Sequence, residues 1–247
     1  NSEIDFYNFQ VEGPLIQILG DFKFKNNRLL NLNLEKFKFY SSIDNISNNL
    51  QIKYTNNFSS SLELSILGDV ISIGRDGLSN LLNKTGPSNN YENIIINVFF
   101  DELNSKSNIT YKNIEFSYDK KLNKLKELSF SALLNSEPII YGETSEHNNT
   151  KKIELFAVNF ESLIDVLGLN INLKGGPIKY SALIENIEGI ETFSGNLNVD
   201  EFSILKLPIF AKLLNISIPN LTLDTDSGIE FKKASAEIKI NSKGENI

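Results

Sequence analysis

The chain has 247 residues, a formal charge of −7 and no cysteine. An acidic balance with scattered lysines argues against a nucleic-acid partner, whose phosphates demand a basic surface. The missing cysteine removes disulfides, thiol nucleophiles and thiolate metal sites together. Methionine is absent too, and the opening NSEIDFYNFQV already alternates like a strand. A piece of a longer protein is therefore expected, with its start and targeting signals elsewhere. The 34 asparagines reflect a compositional bias that weakens any inference from a single Asn.

Along the chain, apolar residues recur at every second position, the signature of a sheet with one apolar face. In LLNLNLEKFKFY, Leu30, Leu32 and Leu34 are followed by Phe37 and Phe39, an odd step that predicts a β-bulge or a bend. SLELSIL places Leu62, Leu64 and Ile66 on one face, and DGLSNLLN (76–83) reads as a short helix with Asp76 as its cap. KELSFSALL aligns Leu128, Phe130, Ala132 and Leu134. NFESLIDVLG (159–168) predicts a helix capped by Asn159, with Leu163, Ile164 and Leu167 as its stripe and Gly168 as its stop. PIKYSALIE then gives Ile178, Tyr180, Ala182 and Ile184, and GNLNVD gives Leu197 and Val199. A third helix is predicted at LPIFAKLLN (207–215), opened by Pro208. GIEFKKASAEIKI changes phase between Phe231 and Ala234. FKNNRL, YTNNFS, EHNNTK and LKGGPIK are turn signals. The expected fold is mainly β: a curved antiparallel meander with three short amphipathic helices, in one continuous domain over 1–247. No stretch reaches the ~18 to 20 apolar residues of a membrane-spanning helix.

No catalytic constellation emerges. The single histidine, His147, sits in the polar turn SEHNNTK without a partner for a triad or a metal site. SIGRDGLSNLL has Arg75, Asp76 and Gly77 but neither phosphate-loop spacing, and KGGP (174–177) leads into a strand instead of a helix. The acids of DVLGLN and FFDEL are dispersed, and the sequons at Asn57, Asn108 and Asn220 are expected by chance in so Asn-rich a chain. The expectation is a protein that is not an enzyme, with no cofactor and no bound metal.

The last third carries a resemblance. Leu167–Gly168, Gly175–Gly176, the strand Gly195 through Phe202, Pro208, Ala211 through Leu214, and Gly228 through Phe231 follow one another in the order seen in the C-terminal region of AsmA-like proteins, in particular the YhdP branch. Residues 157–241 resemble that family most; residues 1–150 resemble it in style only, and ISIPNLTLDTDS departs from its usual glycine-containing apolar stretch. The resemblance implies an open hydrophobic β-groove that carries phospholipids between inner and outer membranes. It further implies a periplasmic protein tethered to the inner membrane by a segment outside this sequence, with membrane components at both ends as partners. The aligned apolar residues named above are then the candidates for contact with acyl chains. Ile209, Phe210, Leu213 and Leu214 would either plug or dock the end of the groove, or pack on the sheet as core. The competing expectation is a structural or interaction scaffold of the cell envelope, built as a sandwich, barrel or solenoid, whose apolar face is ordinary core.

Overall fold

The computed structural model describes residues 2–41, 46–57, 60–72, 91–105, 109–147, 150–166, 173–187, 190–204 and 229–241. Strands dominate them: β1 (Glu3–Gly13), β2 (Ile16–Lys25), β3 (Arg28–Ser41), β4 (Ile46–Asn56), β5 (Ser61–Ser72), β6 (Asn93–Asn104) and β7 (Thr110–Lys121). There follow β8 (Lys124–Leu134), β9 (Glu137–His147), β10 (Thr150–Ala157), helix α1 (Phe160–Val166), β11 (Leu173–Gly175), β12 (Ile178–Ile187), β13 (Ile190–Ile204) and β14 (Ile229–Asn241). The fourteen strands form one sheet in the order β1 to β10, then β12 and β13, with β11 and β14 also paired to β13. By internal contacts the chain divides into two compact units. The first is Asn1–Thr144 with Val166–Gly168, and the second is Ser145–Asp165 with Leu169–Ile247.

The predicted antiparallel meander holds from β1 to β5 and again from β6 to β9. It breaks between β5 and β6, which run parallel, with Ser61 beside Asn93 and Ser72 beside Asn104. Parallel neighbours need a crossover of a dozen or more residues, and the connection 73–92 is long enough to supply one. Strict alternation in the sequence is blind to strand direction, which is why this reversal was not anticipated.

Among the described residues there is one helix, not three. In α1, Asn159 Oδ1 accepts the Ser162 N–H at 2.7 Å, the capping bond its sequence predicts. Leu163 and Ile164 are buried as expected. The other two predicted helices, 76–83 and 207–215, lie outside the described residues, and so do Leu167, Gly168, Ile209, Phe210, Leu213 and Leu214.

The asparagines have a conformational role. Two-residue loops join β2 to β3 (Asn26–Asn27), β7 to β8 (Leu122–Asn123) and β8 to β9 (Asn135–Ser136), and all six residues have φ between 50° and 66°. Positive φ at both central positions is the type I′ hairpin geometry, whose twist matches that of the flanking strands. Asn8 and Asn113, at φ 53° and 48°, sit inside register shifts of β1 and β7. Asparagine tolerates this region better than other non-glycine residues.

The predicted phase break in β3 is a bulge: Leu34 faces Ile52 and Phe37 faces Leu50, so Glu35 and Lys36 on β3 stand against Gln51 alone on β4. At the second predicted phase change, between Phe231 and Ala234, the two strands take the odd step together. β14 pairs with β13 in step from Thr192↔Asn241 to Ile204↔Ile229, because β13 takes its own odd step at Glu201, whose φ is 46°. Val199 and Phe202 are both buried, three residues apart, and Phe202 stacks on Phe231 with ring centroids 5.1 Å apart.

LKGGPIK is corrected, because it does not reverse the chain. β11 and β12 pair with β13 in a single register, Gly175 opposite Phe202 and Ile178 opposite Val199. Since β14 occupies the other side of β13 over this whole length, β11 and β12 lie end to end on one side. The glycines kink the strand: Gly175 and Gly176 have φ of 77° and 74°. The Gly176 carbonyl accepts the Phe160 N–H at 2.6 Å, and the Pro177 carbonyl accepts the Asp200 N–H at 3.1 Å. The kink thus anchors the start of α1. A Cβ on Gly176 would collide with the Asp200 carbonyl oxygen, whereas one on Gly13 would meet only Ile16 atoms at 3.6 Å and beyond. Gly176→Ala is expected to destabilise the protein by about 2–4 kcal/mol and Gly13→Ala by less than about 1 kcal/mol, measured by urea unfolding.

Candidate functional site

The register determines which side chains stand side by side. In the first unit, Leu64 lies between Tyr54 of β4 and Ile96 of β6. Ile96 faces Tyr118 of β7, and Tyr118 faces Leu128 of β8. One row further along, Ile66 lies between Ile52 and Val98, Val98 faces Phe116, and Phe116 faces Phe130. The same rows continue toward the first strands through Leu32 and Phe22, and through Leu34 and Gly20. Two apolar rows therefore cross β2 to β8 without interruption, and Leu64, Ile66, Leu128 and Phe130, predicted from separate strands, share one face. The neighbouring positions form the opposite face, where Lys53, Ser65, Asn97, Ser117 and Ser129 stand in line. There Ser117 Oγ and Asn97 Oδ1 are 3.1 Å apart, and Asn49 Nδ2 donates to Asp69 Oδ2 at 2.9 Å.

A third row, Leu50, Gly68, Phe100 and Ile114, is the buried side of the strip. Gly68 leaves a gap that its neighbours fill: a Cβ there would stand 2.6 Å from Leu50 Cδ2 and 2.8 Å from Phe100 Cδ1. Ala132 and Ile140, paired on β8 and β9, are fully buried. Beyond these rows polar groups take over. Glu102 and Lys112, directly opposed, are 3.6 Å apart. At the other end Leu62 stands between Asn56 and Ile94, Ile94 faces Lys120, and the Asn56 Nδ2 donates to Tyr54 Oη at 2.9 Å. Leu134 does not join the strip: it stands past a register shift, opposite Glu137 at the hairpin.

The second unit repeats the arrangement. Ile178 faces Ala157 and Val199; Tyr180 faces Leu155 and Leu197; Ala182 faces Ile153 and Gly195; Ile184 faces Lys151 and Phe193. All six residues predicted here share one face. The other face carries Lys152, Glu154, Ser181, Ser194, Asn196 and Asn198, with Lys152 Nζ 2.7 Å from Glu154 Oε1. A shallow depression of about 290 Å³ on this polar side is lined by Ser181, Ser194, Asn196 and Glu237.

Burial divides the predicted residues into two groups. Ala132, Ile178, Ala182, Ile184 and Val199 are buried and act as core. Leu62, Leu64, Ile66, Leu128, Phe130, Leu134, Tyr180 and Leu197 are half-buried. Every described strand belongs to the one sheet. From the Leu62 row to the Gly68 row is about 20 Å along the strands, at roughly 3.3 Å per residue.

Sequence reasoning missed Ile96 and Val98, because IIINVFF is apolar at nearly every position and shows no alternation. It missed Phe116 and Tyr118 because the alternation Ile114, Phe116, Tyr118 is short, closed by Lys120 on the same face. Their partners, already in phase, were the available signal. Among the described residues no group of His, Cys, Asp and Glu could hold a metal ion, and no helix is long and apolar enough to cross a membrane. No family model matches the chain, and neither the curated proteins nor the solved structures include a match.

Removal from water pushes the Tyr180 phenol above its ordinary value of 10.0. A raised value in the folded state means that the folded form holds its proton longer. The associated stability is complete below pH 10 and is lost as pH rises through the folded-state value. The fall in stability above pH 10 is therefore expected to be shallower in Tyr180→Phe than in the wild type, measured by urea midpoints from pH 8 to pH 11.5.

Proposed function

We propose that this chain is a segment of an AsmA-like lipid-transfer protein of the periplasm, tethered to the inner membrane, whose apolar face shields phospholipid acyl chains on their way between the two membranes. The observation that carries this reading is the pair of continuous apolar rows from β2 to β8, half-buried along their whole course from β4 to β8. A membrane leaflet is about 15 Å deep, half of a ~30 Å hydrocarbon core, and two rows crossing seven strands at about 4.8 Å per strand extend roughly 29 Å, so one acyl chain fits along them. Each methylene exposed to water costs about 0.8 kcal/mol, so a chain of about sixteen carbons resists unassisted transfer by roughly 12 kcal/mol. A strip of Leu, Ile, Val and Phe lowers that cost without a shaped pocket and without a reactive side chain. The ordered Gly-Gly, Gly-strand and Gly-Ile-x-Phe elements of residues 157–241 support the same assignment.

The scaffold reading is favoured by a different observation, the burial of Ile178, Ala182, Ile184 and Val199 in the second unit. The two readings diverge at the half-buried positions. With a photo-crosslinking amino acid in place of Phe130, Tyr180 or Leu197, in the presence of phospholipid vesicles, lipid adducts are expected; the same group in place of Ser117, on the polar face, is expected to give none. A folded protein without adducts at any apolar position would favour the scaffold.

A further inference from the structure

The sheet has two terminal strands, and they differ. β1 carries a register shift between Phe6 and Phe9, with Asn8 at φ 53°. Its acids are already engaged: Lys23 pairs with Glu3 and with Asp5, and Lys25 pairs with Glu3. A bulge and a committed charge pattern are the usual ways in which an edge is made unreceptive to another strand. β14 has neither. It runs thirteen residues in unbroken register with β13, Glu230 through Glu237 are all exposed, and among the described residues its outer edge has no neighbouring strand.

Its sequence, IEFKKASAEIKIN, is complementary to itself in the one alignment that overlaps all thirteen residues. When two copies run antiparallel about Ser235, each Lys233 stands opposite the other copy's Glu237, and Ala234 opposite Ala236. Because Lys233 already faces Asp200 across β13, the row would read acid, base, acid across the junction. Shifting the centre to Lys233 or Ala236 opposes lysine to lysine, and shifting it to Glu237 opposes the two glutamates. Centring on Ala234 leaves the charges unmatched. Pairing of oppositely charged residues directly across two strands is favourable, and like charges there are unfavourable. We propose that the outer edge of β14 binds β14 of a second copy of this chain, as an antiparallel pair with its two-fold axis at Ser235. Both copies then present Ala234, Ala236 and Ile238 on the same side, so the apolar face runs on across the axis. This proposal does not depend on what that face binds.

The absence of cysteine allows a clean test. Opposed residues in antiparallel strands have Cα atoms about 4.5–5.5 Å apart, within the range a disulfide spans. Ser235→Cys is expected to give a covalent dimer under mild oxidation, while Ser117→Cys, in the interior of the sheet, stays monomeric. By sedimentation velocity, the uncrosslinked protein is expected to dimerise with rising concentration. Glu237→Lys, which opposes Lys233 to a second lysine, should weaken that association at least tenfold, and the exchange Lys233→Glu/Glu237→Lys should restore it. Dimerisation indifferent to these changes would place the interface elsewhere and overturn the proposal. So would a monomer whose outward β14 amides are protected from hydrogen exchange, which would mean that another part of the chain covers the edge.

Discussion

Phase is the constraint on which the rest of this structure depends. A strand shows its apolar residues to one side only while its alternation is unbroken, and a sheet has an apolar face only if every neighbour keeps the same phase. Here that agreement extends from Phe22 on β2 to Leu128 on β8, and again from β10 through β13. The irregularities preserve it. The bulge at Leu34/Phe37 returns Phe37 to the face of Leu34, and the left-handed Glu201 does the same for Phe202 after Val199. The parallel joint between β5 and β6 also conserves phase, setting Leu64 beside Ile96 and Ile66 beside Val98.

Turn chemistry holds this phase in place. Two-residue hairpins leave no slack: a loop one residue longer would shift its whole strand to the other face. The positive-φ asparagines at 26, 27, 123 and 135 supply that tightness in a chain that spends few glycines on its turns. Glycine is placed instead where volume or backbone reach decides. Gly68 yields its space to Leu50 and Phe100, and Gly176 brings a carbonyl to the first turn of α1.

Much of this was legible in the sequence, for a physical reason: a period of two is a local property. Leu62, Leu64 and Ile66 announce their common side without reference to any other strand, and so do Ile178, Tyr180 and Ala182. The bulge in β3 and the capped start of α1 are local as well. Pairing is not local. Nothing in residues 61–104 states that β5 and β6 run parallel, and nothing in KGGP separates a kink along one strand from a reversal between two. The half-buried residues could not be told from the fully buried ones either. Leu128 and Ala132 alternate identically, yet Ala132 is enclosed against Ile140 while Leu128 remains partly open.

That partial opening is the centre of the functional account. An apolar row left half-exposed across seven strands is costly in water at about 25 cal/mol per Å², and a bound hydrocarbon chain offsets the cost for both partners. The most direct measurement is extraction of a self-quenched fluorescent phospholipid from vesicles by the 247-residue chain. The account predicts dequenching that saturates with protein and is lost when Ile66 and Val98, adjacent in the central row, are both changed to Asp in a protein that still folds. Extraction that does not occur with the folded wild-type chain, or that is unchanged in the double variant, would contradict it.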